Sequence, residues 1–277
     1  MAKVIRFLKQ NVFMIIGIVM ILIIAGMALF AEQIAPIGPF KTDLTNRFSY
    51  RTDQHPLGTD FFGRDLLARI LVGARYSLFI GIFSITLSMI CGGILGMVAG
   101  YYPNSRYASI IIWFTDIAMA FPLLILGAMV AMMFGPGIDN TILALSIAYL
   151  PRFIRFARAQ TLSVKEDLYI LAAKSIGMGD MRIFLIHVIP NIISPILVMA
   201  VIWMSGAITV EVSLGFLGLG VPPPAPSWGN ILQENLRMLI MHPSKVLWPC
   251  IAIAWTVQAL NMIGDRFRDM LDPRMRT

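Results

Sequence analysis

An all-α, polytopic membrane protein of about six transmembrane helices is the fold class this sequence predicts, and three observations predict it. Of 277 residues, 58% are hydrophobic and 13% charged, about half the charged share of an average soluble domain. The apolar residues fall in long unbroken runs, unlike the roughly ten-residue alternating stretches of a transmembrane barrel. At about 20 residues per spanning helix, the chain holds about five to seven spans with short connections. This composition excludes an ordinary soluble globule and a disordered chain, and it leaves no room for a sizeable extramembrane domain.

The spans follow in order. Val12–Ala31 comes after Lys3, Arg6 and Lys9 and superficially resembles a secretory signal. Its apolar stretch of about 20 residues exceeds a signal's core, and Ala31-Glu32-Gln33 makes a poor cleavage site, so it is read as a retained helix. The second span, Ser77–Ala99, places Gly92, Gly96 and Gly100 at every fourth position, with Gly93 beside them. That is a small-residue face for close helix packing. The third, Ser109–Phe134, contains Pro122, where a kink is expected with the freed carbonyl satisfied by neighbours. The fourth, Thr141–Phe156, is the weakest, because Pro151, Arg152 and Arg155 interrupt its end. The fifth and sixth are Ile192–Val210 and Val246–Ile263. The expected division is residues 1–76, with the first helix and an external loop, and residues 77–277, a core of five helices with an internal loop at 157–190.

Six spans place both termini on one face. With the termini inside, the internal segments hold fourteen Lys and Arg and the external ones eight, the bias expected of cytoplasmic loops. The external segments are then Glu32–Tyr76 and Gly220–Lys245. In the latter, the prolines of Gly220–Trp228 cannot continue a helix, and Asn230–Met241 has helical apolar spacing, predicting a short helix at the membrane surface. The basic excess comes without interleaved aromatics, so nucleic acid is not an expected partner. Cys91 and Cys250, and the separated His55, His187 and His242, have no metal-ligand or disulfide spacing. No Gly-Lys dipeptide occurs, so the phosphate-binding loop of an ATPase is absent from the chain. Paired intramembrane aspartates, serine-histidine pairs and clear internal repeats are likewise missing, against an intramembrane enzyme or a stand-alone secondary carrier.

Within the internal segment, Glu166-Asp167 precede Leu168–Ile176, a helix with acids at its start and Lys174 in its last turn. Gly177 supplies the stop. A second short element, Met181–Val188, leads to Ile189-Pro190-Asn191 and the fifth span.

These residues carry a resemblance. Ala172-Ala173-Lys174-Ser175-Ile176-Gly177, followed after nine residues by His187-Val188-Ile189-Pro190-Asn191, resembles the cytoplasmic "EAA" loop of bacterial binding-protein-dependent ABC transporter permeases. Leu171 stands where that loop usually has an acid. Three further stretches resemble the peptide/nickel branch and its dipeptide and oligopeptide "C" subunits: His55–Asp60 with Gly63-Arg64-Asp65 and Gly73–Leu78; Phe216–Gly220 with Pro222-Pro223, Pro226 and Ser227-Trp228-Gly229; and Asn261–Asp265 with Arg268-Asp269 and Leu271–Arg274. Gly215 stands where the branch typically has Ser.

The resemblance implies a type I importer permease fold in the bacterial inner membrane. It implies no catalytic, cofactor or metal site in this chain; ATP and Mg would be bound by two partner ATPase subunits. A second permease would complete the pathway, and an extracytoplasmic binding protein would deliver cargo. Di- or oligopeptides are the expected cargo; a nickel complex or another peptide-like or chelate compound is the alternative. Leu171, Ala172, Ala173, Gly177, His187 and Pro190 would form the ATPase-coupling loop, the small residues admitting a partner groove and Pro190 stiffening the junction with the fifth span. Asp116 and Glu211, acids within spans, are candidates for the pathway or gate; the alternatives are hydrogen bonding to neighbouring helices near the cytoplasmic interface for Asp116 and a place at the external boundary for Glu211. Pro222, Pro223, Trp228 and Gly229 mark an external loop suited to binding-protein contact or gating, with a purely structural lid as the alternative.

Overall fold

The computed structural model describes residues 11–271; the expected features at Lys3, Arg6, Lys9, Asp272, Pro273, Arg274 and Arg276 lie outside them. The helices are α1 (Val12–Leu29), α2 (Ala31–Ile34), α3 (Leu66–Tyr101), α4 (Arg106–Met119), α5 (Leu123–Phe134) and α6 (Ile138–Lys165). After them come α7 (Leu168–Ser175), α8 (Asp180–Ile183), α9 (Ile189–Phe216), α10 (Trp228–Leu236) and α11 (Ser244–Leu271). No strand forms among the described residues. Among the described residues, four helical runs are long and apolar enough to cross a membrane, and α4 with α5 makes a fifth if the bent pair is one span. α6 is the remaining expected span; Arg152 and Arg155 dilute its apolar stretch.

Four expectations are corrected. The second span begins at Leu66 rather than Ser77, because Asp65 caps it by accepting a hydrogen bond from the Ala68 amide at 2.8 Å and Arg69 is buried against acids instead of facing water. The helix therefore crosses the expected 76/77 division without a break. The third span is bent by 100° between α4 and α5, far more than a kink. Pro122 lacks an amide proton and drives the preceding residue out of helical geometry, so α5 starts afresh after it.

The element after the Gly177 turn is continuous with the fifth span: Asp180–Phe216 forms one helical run through a π-helical segment, Phe184–Val188. Pro190 cannot donate to Ile186; the Ile189 amide reaches back five residues to Phe184, and the Asn191 side chain donates to the His187 carbonyl at 2.7 Å. Such a wide turn is how a helix absorbs an interruption. Finally, the external surface helix runs Trp228–Leu236 rather than Asn230–Met241, starting at a reciprocal cap between Ser227 and Asn230.

The core is built on α3 and α6, which share the most extensive helix contact. A Cβ at Gly96 would lie 2.3 Å from the Ile154 carbonyl oxygen, so only glycine admits this approach. Gly92 and Gly100 meet α6 almost as closely. The Ser88 hydroxyl donates to the Ser146 carbonyl at 2.8 Å, and Ser146 donates to the Ser84 carbonyl at 3.3 Å. Small residues and hydroxyl cross-links are what hold helices together where lipid removes the hydrophobic driving force. α9 packs against α3 and α11, and α1 lies against α11.

The start of α1 and the last turns of α11 meet on one face, where Arg266 Nε donates to Asn11 Oδ1 at 2.7 Å. The opposite face gathers the 30–65 loop, the Gly135–Gly137 turn and α10, tied by hydrogen bonds such as Gly137 amide to Gly220 carbonyl at 3.2 Å.

Candidate functional site

The loop between α6 and α9 is a helix, a tight turn and a second helical start. α7 ends in a paired turn: the Gly177 amide donates to Lys174 at 2.9 Å and the Met178 amide to Ala173 at 3.1 Å, with Gly177 at φ +81°. This geometry favours glycine. Ile170 and Ala173, together with Ile183 and Val188, turn into the protein's own core. Ala173 is thus packed inside this chain rather than offered to a partner. Leu168, Leu171, Ala172 and Gly177 face outward, and Leu168 and Ile176 are 83% and 79% exposed. Met181 continues this apolar face at the start of α8. Pro190 is exposed and His187 half-buried, its ring 6.2 Å from that of Tyr169. Partial burial and the neighbouring Asp167 carboxylate push the Tyr169 hydroxyl above the ordinary phenol range.

At the opposite face, α10 is bolted down. Trp228 is wholly buried, its indole donating to the Ile70 carbonyl at 3.1 Å and its amide to the Ser77 hydroxyl at 3.3 Å. Gly229 lies against Val212 and Gly215, where a Cβ would come within 2.4 Å of the Val212 carbonyl. Gly215, the departure from the usual Ser, is the other side of that contact. Asn230 donates to the Val221 and Ala225 carbonyls at 3.2 and 2.8 Å and so holds the proline-rich turn. Pro222 and Pro223 are exposed on that turn, whereas Trp228 and Gly229 are its foundation.

Beside α10 lies a buried ionic cluster that the sequence reading missed. Arg64 pairs with Asp60 at 2.7 Å and with Glu234; Arg69, wholly buried, pairs with Glu234 at 2.9 Å and Asp60 at 3.3 Å. His55 Nδ1 lies 3.0 Å from Asp65, and the Lys245 ammonium donates to the Ser49 and Leu57 carbonyls at 2.7 and 3.2 Å. Charges buried this deeply persist only when paired. The signal in the sequence was Asp60, Arg64 and Arg69 at near-helical spacing just before an apolar helix.

The two intramembrane acids are not brought together. Asp116 is exposed on α4, which packs against α3 and α6, and its carboxylate makes no hydrogen bond within the described residues. The expected helix-to-helix hydrogen bond is therefore absent within them. Glu211 on α9 is wholly buried beside the Ser77 hydroxyl, and neither carboxylate oxygen makes a well-formed hydrogen bond among the described residues. It does not line an open surface of this chain.

Residues 92–277 match the family model described as binding-protein-dependent transport system inner membrane component, and residues 1–56 match the N-terminal TM domain of oligopeptide transport permease C. The chain is 38% identical to a dipeptide transport system permease protein of Alkalihalophilus pseudofirmus, over 98% of this chain and 88% of the relative. It is 38% identical to a glutathione transport system permease protein of Pectobacterium atrosepticum, over 98% and 90%. A di/tripeptide transport system permease protein of Pseudomonas aeruginosa is also 38% identical, over 94% and 88%.

Proposed function

The chain belongs to the family of binding-protein-dependent transport system inner membrane components, and we propose that it is one of two permease subunits of an ATP-driven importer of short peptides. It is a multi-pass permease of the inner membrane. Relatives named for dipeptide, di/tripeptide and glutathione transport support a peptide-like cargo over a nickel complex. The observation that carries the coupling role is an exposed apolar face formed by α7 and the turn into α8: Leu168, Leu171, Ile176 and Met181 stand out of a loop that has no spanning length to hide them in lipid. Such a face needs a protein cover. An ATPase subunit meets that need, and ATP and Mg would be bound there, since this chain lacks a phosphate loop.

On this reading α7 faces the cytoplasm, both termini are cytoplasmic, and α10 with Pro222 and Pro223 faces the binding protein. Asp116, turned outward from α4, faces the second permease and the pathway. Glu211 lies behind α10 and gains access to the pathway when α10 moves. Co-purification of the tagged chain from its native membrane tests the proposal. A second permease and ATPase subunits should accompany it, with hydrolysis in lipid stimulated by a peptide-loaded binding protein; a chain that purifies alone and transports without ATP contradicts it.

A further inference from the structure

At the loop end of α3, Tyr101 is 2% exposed and its hydroxyl donates to Asp180 Oδ1 at 2.9 Å. Asp180 is the first residue of α8, just beyond the Gly177 turn. Around the same ring stand Phe184, at 5.4 Å, and the ammonium groups of Lys165 and Lys174, at 5.4 and 5.9 Å from the ring centre. Lys165 also donates to the Tyr101 carbonyl at 2.7 Å. One side chain thus gathers the end of α6, the coupling helix and the start of the return. At its far end α3 holds α10 through Arg69–Glu234 and Ile70–Trp228.

α3 as a whole runs 36 residues without a proline, about 54 Å of helix, locked along α6 by close backbone contact. α9, the direct continuation of the loop, is instead preceded by a π-helical segment and carries Pro190 in its first turn.

We propose that the Tyr101 hydroxyl and the Asp180 carboxylate form a joint that passes movement of the coupling loop into α3, and that α3 carries it to α10 on the opposite face. The inference rests on the permease reading. It makes Tyr101 a positioning residue: it touches neither cargo nor nucleotide, and it acts through a two-ended rigid element.

The test uses the assembled complex in lipid, with Cys91 and Cys250 replaced by Ser and spin labels placed at Met133 and Ile240, both highly exposed on the α10 side. The distance between labels is read without nucleotide and with ATP and Mg. The shift seen in the parent should be lost in Tyr101→Phe and in Asp180→Ala, and kept in Asp180→Asn, whose amide oxygen still accepts from the tyrosine. Basal ATP hydrolysis should be unchanged in all three. The double variant should be no worse than either single loss. An unchanged shift in Tyr101→Phe, or additive losses in the double variant, overturns the joint. Should Tyr101→Phe fail to assemble, Asp180→Ala against Asp180→Asn carries the same comparison. No shift in the parent, with hydrolysis intact, overturns transmission to α10; no association with ATPase subunits overturns the permease reading itself.

Discussion

At Gly177 the backbone lies at φ +81° and a Cβ would meet nothing within 4 Å. Conformation, not space, demands glycine there. Gly177→Asn should keep most of the stimulated ATP hydrolysis, since asparagine tolerates the left-handed region. Gly177→Trp should abolish stimulation in proteoliposomes while the two permeases still assemble; normal stimulation in Gly177→Trp would remove the loop's coupling role. Glu211 makes a different prediction. Its buried carboxylate has the Ser77 hydroxyl beside it but no well-formed hydrogen bond and no countercharge, so Glu211→Gln, of the same shape, uncharged and still able to accept from Ser77, should leave thermal unfolding unchanged or raise it. A lowered Tm would mean the charge makes a contact the folded protein needs.

In the 30–65 loop, Asp43 accepts hydrogen bonds from the side chains of Thr45 and Asn46, which hold its carboxyl below the ordinary carboxylate range. A lowered folded value stabilises the Leu44–Asn46 turn above the unfolded pKa and loses that contribution as pH falls through the folded one. The Thr45 amide should therefore stay protected from exchange at about pH 4, near the unperturbed value, and lose protection in stronger acid.

The helices themselves make a sharper test of packing. Gly93 and Gly96 lie three residues apart on α3, but a Cβ at Gly93 would meet its nearest neighbour at an ordinary 3.7 Å, and one at Gly96 would strike a backbone carbonyl. Gly93→Ala should be nearly silent, whereas Gly96→Ala should cost about 1–3 kcal/mol as overpacking, measured by thermal unfolding in detergent. The four-residue glycine spacing was legible because helix periodicity is local. So were the ends of α7, where acids and Gly177 flank a short apolar run.

Which face of α7 points inward was not legible. Eight residues with apolar side chains on both sides leave the phase to tertiary packing, and Ala173 fell on the inner one. The start of α3 was missed for a related reason. Arg69 and Arg75 suggest a loop in sequence, but Arg69 finds Glu234 across 165 positions, a separation that no local pattern encodes. Glu234→Gln would leave Arg69 and Arg64 sharing Asp60, and breaking such a buried set should cost about 3–5 kcal/mol, seen as early release of α10 in hydrogen exchange.

For the whole molecule, fold class and span order were readable because bilayer thickness sets element length and composition reports the solvent. The bend at Pro122 was readable as a site but not as an angle of 100°, which depends on what α4 and α5 each pack against. The resulting molecule has an uncovered apolar helix on one face and a tightly bolted helix on the other, joined by α3. That asymmetry is the expected shape of a subunit receiving force at one end and gating at the other.

The central claim is therefore that this chain works in a complex driven by separate ATPase subunits, and the most direct measurement is ATP hydrolysis by the complex co-purified with the tagged chain in lipid. The account predicts that hydrolysis rises when the peptide-loaded binding protein is added, and that Leu168→Asp at the start of α7 with Ile176→Asp just after its end detaches the ATPase subunits. Transport by the isolated chain without ATP, or full ATPase retention in that double variant, would contradict it.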